Sequence, residues 1–479
     1  MGSGQDGGLL QRLGLPRTSG QRSLVAALVV DSLGDGLFVP FAIVYFLHTT
    51  SLSLSAIGAC LSVAGLLALP SVLLAGVLVD RFGSSGVVVA GNLLSGLAFA
   101  GYLVVGNAWQ LVLFALLAGL GGRFYWTANL GLIGDAFSGE ERARWFALQR
   151  ALRNAGFGLG GLLGAVAISV GSDAGYRALA AVNAVSYLAA AALVLFWSRR
   201  LQLRLSDQRA SDEPPKVNPA SNSPASAKTG SGGSSSPEQP GRDHSSRDDS
   251  SRDDSSRDDS SRDNTSRDRP GAAQRGYRAA LTDRPFMLLT ATNVLFVLCS
   301  ISLEVLLSVF VLRALHQPVW LAGALFAVNT IASAVGQTPL SAALGGLGPI
   351  RVLQLSGAVW AVSFTLFWLA TGLPGAAAIA SVTLAVVVFT VAEMIQGPVV
   401  NDLVVALAPP QLRCRYLGTY QLSWALSRAV APALFTWLFS VGADVPWIAL
   451  AVACAGWTVL LSVPGLSVLR DPPTGPRAT

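Results

Sequence analysis

The chain has 479 residues, of which 52% are hydrophobic and only 13% are charged, and its mean hydropathy is +0.53. A soluble globular protein carries about 25% charged residues, so this composition excludes that class and predicts an integral membrane protein. The formal net charge of +6 comes almost wholly from arginine, which in membrane proteins orients loops and does not indicate nucleic-acid binding.

The sequence carries no motif of a known catalytic or metal site. HExxH, G-x-S-x-G and P-loop patterns are absent, so an enzyme is not expected. The four cysteines and three histidines are scattered along the chain, which argues against a disulfide framework or a metal centre. No cofactor is expected.

Apolar runs long enough to cross a bilayer as helices recur along the chain. Six lie near residues 23–47, 53–79, 86–106, 108–134, 144–169 and 175–197, and six more near 284–312, 318–344, 350–370, 375–403, 415–440 and 445–467. The sequence therefore predicts an all-α membrane protein with twelve transmembrane helices in two pseudo-symmetric six-helix bundles. We place the bundles at 23–200 and 281–467, and terminal tails at 1–22 and 468–479.

The first apolar run contains two carboxylates. Asp31 and Asp35 are four residues apart, so they project from nearly the same side of a helix, with Gly34 and Gly36 beside them. A charge at the centre of a membrane helix costs about 2.5–3.5 kcal/mol on insertion scales, so such residues face a partner or a water-filled path. A transport site is the favoured interpretation, and a pair of buried structural acids is the alternative.

The segment at 201–280 separates the two groups of runs. It is rich in Ser, Pro, Asp and Arg, and it repeats the sequence SSRDD from Ser245 onwards. With few apolar residues it cannot bury enough surface to order itself, so we predict a disordered cytoplasmic linker. A regulatory or partner-binding role stays open.

The two groups of runs share an internal repeat. Arg142-Ala143-Arg144-Trp145 precedes the fifth run, and Arg413-Cys414-Arg415-Tyr416 precedes the eleventh, 271 positions later. Parallel six-helix repeats with a site at their mid-membrane interface are typical of transporters.

Arginines are concentrated in the loops on one side of the predicted helices. That side holds Arg12, Arg17, Arg22, Arg81, Arg142, Arg144, Arg199, Arg200, Arg351, Arg413, Arg415 and Arg470, whereas the other side holds little beyond Arg177 and Arg313. The positive-inside rule therefore predicts a multi-pass protein of the cell membrane with both termini in the cytoplasm.

The loop after the second run reads Gly76-Val77-Leu78-Val79-Asp80-Arg81-Phe82-Gly83. It resembles the G-x-L-x-D-R-x-G signature of the major facilitator superfamily, although Ser84 and Ser85 follow where basic residues are usual. The resemblance implies a cytoplasmic gate motif at Gly76, Asp80, Arg81 and Gly83. It also implies that Asp80 docks near the start of the eleventh helix, at about Arg413 to Tyr416, and releases when the protein opens inward.

Arg123 lies well inside the fourth run, where an unpaired guanidinium is improbable. Transporters of the drug:proton antiporter type in this superfamily carry an arginine at this place, and the resemblance extends to them. At 1.5 Å per residue, Asp31 lies about 12 Å and Asp35 about 18 Å from the cytoplasmic face, and Arg123 about 8–12 Å. We therefore predict an Asp31–Arg123 pair, with Asp35 as the main proton carrier; the alternative is that Arg123 only holds helices together or snorkels.

Further polar and aromatic residues of the runs are candidates for a substrate cavity: Tyr125, Trp126, Asn129, Arg153, Glu304, Asn329 and Glu393. Core packing or lipid contact is the alternative for each aromatic residue. The fifth helix is glycine-rich but lacks the Gly-Pro pair of the antiporter signature, which weakens the expectation of antiport.

The leading hypothesis is a secondary-active, proton-coupled exporter of small amphipathic or lipophilic compounds, with the proton gradient as energy source. The expected partners are the substrate, protons and the bilayer, and the protein is expected to be a monomer. The alternatives are an importer or facilitator of a specific metabolite, and a non-transporting receptor or scaffold on the same fold.

Overall fold

The computed structural model describes residues 16, 18, 21–137, 139–169, 173–212, 281–409 and 412–461. These residues are almost entirely helical, and no β-strand occurs among them. Most of the predicted N-terminal tail, the whole of the predicted C-terminal tail and most of the predicted linker lie outside the described residues. The boundaries assigned to the tails and bundles therefore stay predictions.

Six helical elements form the first half of the chain. Helix α1 runs from Arg22 to Thr49 in three pieces, Arg22–Phe38, a 3-10 turn at Val39–Phe41 and Ala42–Thr49. The others are α2 (Leu54–Leu67), α3 (Ser71–Tyr102), α4 (Ala108–Ala136), α5 (Gly139–Ser169) and α6 (Asp173–Asp212). Because α6 continues to Asp212, the beginning of the segment predicted as a linker is helical.

The second half repeats this plan. Helix α7 (Arg284–Val309) ends in a π-turn at Phe310–Ala314, and it is followed by α8 (Trp320–Leu344), α9 (Pro349–Ala370), α10 (Gly375–Leu407), α11 (Arg413–Val441) and α12 (Val445–Leu460). Ten helices of the described chain are long and apolar enough to cross a membrane, and two shorter apolar helices, α2 and α12, complete twelve segments.

Prolines and a glycine explain where the helices break. Pro40 has no N–H to donate, and the first helix tightens into a 3-10 turn there. Pro70 follows the end of α2, whose 14 residues span only about 21 Å. Gly83 has φ +75°, a conformation that favours glycine, and it interrupts α3 in the middle of the predicted loop. The crossing that begins with α2 is therefore completed by the part of α3 before Gly83.

Three helix pairings are common to both halves. In the first half α1 packs on α5, and α3 packs on α4 and α6; in the second half α7 packs on α11, and α9 packs on α10 and α12. These three pairings recur six helices later, as the internal repeat predicts, whereas α1 packs on α6 much more extensively than α7 packs on α12.

The two halves meet through α2 with α11 and through α5 with α8. We call the face where α1 begins and α6 ends the terminal face, and the other the opposite face. Near the opposite face, Ser62 Oγ accepts a hydrogen bond of 2.8 Å from the backbone N–H of Ala433. Also on that side, a Cβ at Gly58 would collide with Thr436, and one at Gly323 with Gly161 and Ala165. The halves are therefore tightly closed at the opposite face.

Candidate functional site

The acids of α1 lie where this helix is wedged between α5 and α6. A Cβ on Gly34 would collide with Asn183 and Ser186 of α6, and a Cβ on Gly36 would lie 2.6 Å from the Cα of Phe157 of α5. Only glycine permits this approach. As a result, Asp31 is 6% exposed and Asp35 is half-buried, both deep in the first half of the molecule.

The two carboxylates have different surroundings. Tyr187 of α6 donates a hydrogen bond of 2.5 Å to Asp35 Oδ1. The Tyr125 hydroxyl lies beside Asp31, whose Oδ1 is buried and has no hydrogen-bond partner. Asp31 is thus the less compensated acid, the reverse of the predicted order.

A narrow cleft connects the acids to an arginine and a tryptophan. It is lined by Leu28, Asp31, Ser32, Asp35, Tyr125, Trp126, Gln149 and Arg153. Arg153 is close enough to act electrostatically on both carboxylates, yet within the described residues it forms no ion pair. Instead its Cζ lies 4.0 Å from the ring centre of Trp126.

The predicted Asp31–Arg123 ion pair is wrong. Arg123 is half-buried, and the charged group that acts on it is Arg428, with no acid among the groups that do so. Each residue turns a helix by about 100°, so a similar depth does not by itself bring two side chains together. The cation that faces the α1 acids is therefore Arg153 of α5.

Charged residues of the second half face the same region. Arg428 of α11 binds both carboxylate oxygens of Glu304 of α7 at 3.2 Å, and this pair lies close enough to Asp35 to act on it. The side chain of Arg428 is 52% exposed. The Glu304–Arg428 pair thus lines the space between the halves, opposite α1.

Glu393 belongs to a separate hydrogen-bonded group within the second half. Ser300 donates to its Oε1, and Asn329 donates to its Oε2 at 3.2 Å and to Thr390 at 3.0 Å. Asn329 and Glu393, which are both predicted cavity residues, are therefore in direct contact.

Asn129 does not line the cleft. It is 1% exposed, packed inside the first half, and its Nδ2 has no hydrogen-bond partner in the described chain. Tyr125 and Trp126, three to four residues earlier on α4, do reach the cleft. Residues three to four apart share a face of a helix, so Asn129 differs from these two by about one turn, or about 5 Å, along the axis of α4.

The residues of the gate motif are exposed in this conformation. Asp80 and Arg81 are at the surface, and Asp80 has neither a hydrogen bond nor an ion pair in the part of the chain described. A Cβ at Gly76 or Gly83 would meet nothing within 4 Å. No contact of Asp80 with the start of α11 occurs among the described side chains, and Tyr416 donates to Asp283 at 2.9 Å.

Sequence reasoning missed Tyr187 and Gln149. Tyr187 follows Ser186 in a largely apolar helix and Gln149 precedes Arg150 in the polar first part of α5, so the pattern of the sequence does not distinguish either residue from its neighbours. The hydrogen bond from Tyr187 to Asp35 depends on the packing of α6 on α1, which the chain order does not reveal.

A family comparison decides what kind of protein this arrangement belongs to. The model of the Major Facilitator Superfamily matches residues 24–432, which is most of the chain. The chain belongs to the major facilitator superfamily. It is therefore a multi-pass membrane transporter of small molecules, not an enzyme, and members of the superfamily generally need no cofactor.

Solved structures of transporters share the fold. A mutant of the nucleoside transporter NupG matches with a TM-score of 0.66 and 13% identity, over 94% of this chain and 100% of that one. A POT family transporter in complex with 5-aminolevulinic acid matches with a TM-score of 0.66 and 12% identity, over 95% of this chain and 99% of that one. At these identities the likeness establishes the fold alone.

One relative of similar sequence is a resistance protein. The chain is 31% identical over 179 residues to the methylenomycin A resistance protein of Bacillus subtilis (strain 168). The match covers 36% of this chain and 37% of that protein, so it spans well under half of either.

Proposed function

We propose that this superfamily member is a proton-coupled exporter of small amphipathic or lipophilic compounds, which works by alternating access. The observation that carries the proposal is the position of Asp31 and Asp35 on α1, in a narrow cleft beside Arg153. Carboxylates held in a membrane interior are expensive unless they bind protons or counter-ions in the course of a cycle.

The chemistry of this group suits proton loading and unloading. Burial disfavours the charged form of a carboxyl group, whereas a nearby guanidinium favours it. Asp31 and Asp35 lie close enough to influence each other, and Arg153 acts on both. A movement of Arg153 toward or away from them would therefore change how readily they hold protons.

Alternating access would use the contacts between the halves. The packing of α2 on α11 and of α5 on α8 closes the opposite face in this conformation. The arginines of the terminal face, including Arg22, Arg81, Arg199 and Arg351, support a cytoplasmic orientation for that face under the positive-inside rule. The conformation would then be inward-facing, and the exposed Asp80 fits a gate motif that is released in that state.

Export is favoured over import by the resistance relative, because resistance to a compound is a natural consequence of removing it from the cell. The substrate cavity would be lined by Trp126 and Arg153 in the first half, and by Glu304, Asn329 and Glu393 in the second. Tyr125 would contact Asp31 and not the substrate.

Uptake into inverted membrane vesicles with an imposed proton gradient tests the proposal. A panel of lipophilic compounds is screened for accumulation that collapses when the gradient is removed. Asp31→Asn and Asp35→Asn are expected to abolish gradient-driven accumulation. Asp444→Asn is the matched control, since Asp444 directly precedes α12, in a loop at the opposite face. Accumulation that does not depend on the proton gradient would indicate a facilitator and contradict the proposal.

A further inference from the structure

The indole face of Trp126 is occupied by a cation of the protein itself. Arg153 lies over the ring, although Trp126 is 38% exposed and lines the cleft. A guanidinium is attracted to the electron-rich face of an indole. The same face is the surface on which a planar aromatic ligand would stack.

Arg153 has a second pair of partners within reach. Asp31 and Asp35 line the same cleft and feel its charge, yet it forms no ion pair with them in this conformation. The other titratable groups that face these acids are Tyr125 of α4, Tyr187 of α6 and the Glu304–Arg428 pair. Since Arg428 is already bound to Glu304, Arg153 is the cation that the two acids would attract on losing protons.

We infer that Arg153 is a switch that exchanges the face of Trp126 for the carboxylates of α1, and that the uncovered indole binds a planar aromatic group of the substrate. This inference rests on the proposed function and names its substrate class. Tyr125 supports the arrangement, because its ring meets Trp126 edge-on at 5.3 Å while its hydroxyl lies beside Asp31.

Such a switch makes protons and substrate compete without direct contact between them. With the acids protonated, Arg153 stays on Trp126 and blocks the stacking surface. With the acids ionised, Arg153 moves to them and the surface is free. Competition of this kind is what exchange of a proton for a substrate requires, since a ligand shifts a two-state equilibrium only by its differential affinity.

The test is equilibrium binding of proflavine, a planar aromatic cation, to the purified full-length chain without any gradient. In the native protein, affinity is expected to fall about tenfold when the pH is lowered from about 8 to about 5.5, the scale of a partly desolvated cation–π contact. Arg153→Gln should bind the dye tightly at both pH values. Arg153→Lys should restore part of the pH dependence.

Variants at the tryptophan complete the test. Trp126→Leu should weaken dye binding at all pH values and Trp126→Phe should retain most of it, whereas Trp109→Phe, on the same helix but far from the cleft, should have no effect. Absence of dye binding to the native protein, or pH dependence that survives in Arg153→Gln, would overturn the inference. pH dependence that survives in Arg153→Gln would not affect the proposal of proton-driven export. Conversely, if the native protein showed no gradient-driven flux but its dye binding depended on pH through Arg153, only the proposal of export would be refuted.

Discussion

Tyr187 of α6 donates a hydrogen bond to Asp35 of α1, with 2.5 Å between the two oxygens. This contact connects one of the two acids of the cleft to a helix that the sequence does not mark as functional. It also joins two helices of the first half at the level where glycines bring α1 and α6 together.

Tyr187→Phe removes this donor and leaves the ring in place. A hydrogen bond between membrane helices contributes about 0.5–2 kcal/mol, so a small loss of thermal stability is expected together with impaired proton-driven flux. Tyr176→Phe is the control on the same helix. The ring of Tyr176 stacks on His48, and its hydroxyl makes no hydrogen bond with the described residues. Equal flux in Tyr187→Phe and the control would show that the contact is dispensable.

The Glu304–Arg428 pair allows a double-mutant cycle. Because Arg428 is half exposed, its ion pair is expected to contribute only about 0.2–1 kcal/mol to the free energy of unfolding. Glu304→Gln and Arg428→Gln should therefore each destabilise slightly, and the double variant should be less destabilised than the sum of both. Strict additivity in thermal unfolding of the purified protein would show that the two side chains do not interact.

Gly58 lies where α2 of the first half packs closely on α11 of the second half. A side chain there would collide with Thr436 and with the backbone of Pro432, so Gly58→Leu should separate α2 from α11 and favour opening of the opposite face. Ser62 lies one turn further along the same face of α2, against Ala433, so a cysteine introduced by Ser62→Cys should then react faster with a maleimide in a variant whose native cysteines are alanine.

Gly456→Leu is the matched control for Gly58→Leu, because a Cβ added at Gly456 would have no neighbouring atom of the described chain within 4 Å. The reactivity of the introduced cysteine should not rise in that variant. An unchanged rate in Gly58→Leu as well would mean that α2 and α11 separate elsewhere.

Asp80 is exposed and makes no hydrogen bond or ion pair with the described part of the chain, so Asp80→Asn should leave the thermal stability of the protein unchanged within about 0.5 kcal/mol. If the acid docks on the second half when the terminal face closes, the same variant should still reduce transport. A stability loss comparable to a buried ion pair would contradict the exposed position of this carboxylate.

Much of this architecture follows from local patterns. Hydrophobic runs of spanning length predicted twelve membrane segments, and the charges inside the first run pointed to α1 because charge in a membrane segment is costly. The Gly76–Gly83 motif indicated the superfamily, and the family model confirms it. These features depend on residues close in the sequence.

The partners of the charges could not be predicted in the same way. The similar depths of Asp31 and Arg123 suggested a pair, but the rotation of α4 about its axis turns Arg123 toward Arg428. Asn129 lies about one turn from Trp126 on the same helix and is buried, while Trp126 reaches the cleft. The rotation of α4 depends on close packing such as that of Gly121 against Gly91 and Ser95 of α3, which appears only in three dimensions.

The most direct test of proton coupling compares two kinds of transport in the same proteoliposomes. Asp31→Asn and Asp35→Asn are measured for gradient-driven accumulation of a transported compound and for its exchange across the membrane without a gradient. We predict that accumulation is lost in these variants while exchange continues at saturating concentrations of the compound, because asparagine binds no proton and the uncharged side chains weaken substrate binding without abolishing it. Gradient-driven accumulation at the native level in the doubly substituted protein would contradict the role of the α1 carboxylates.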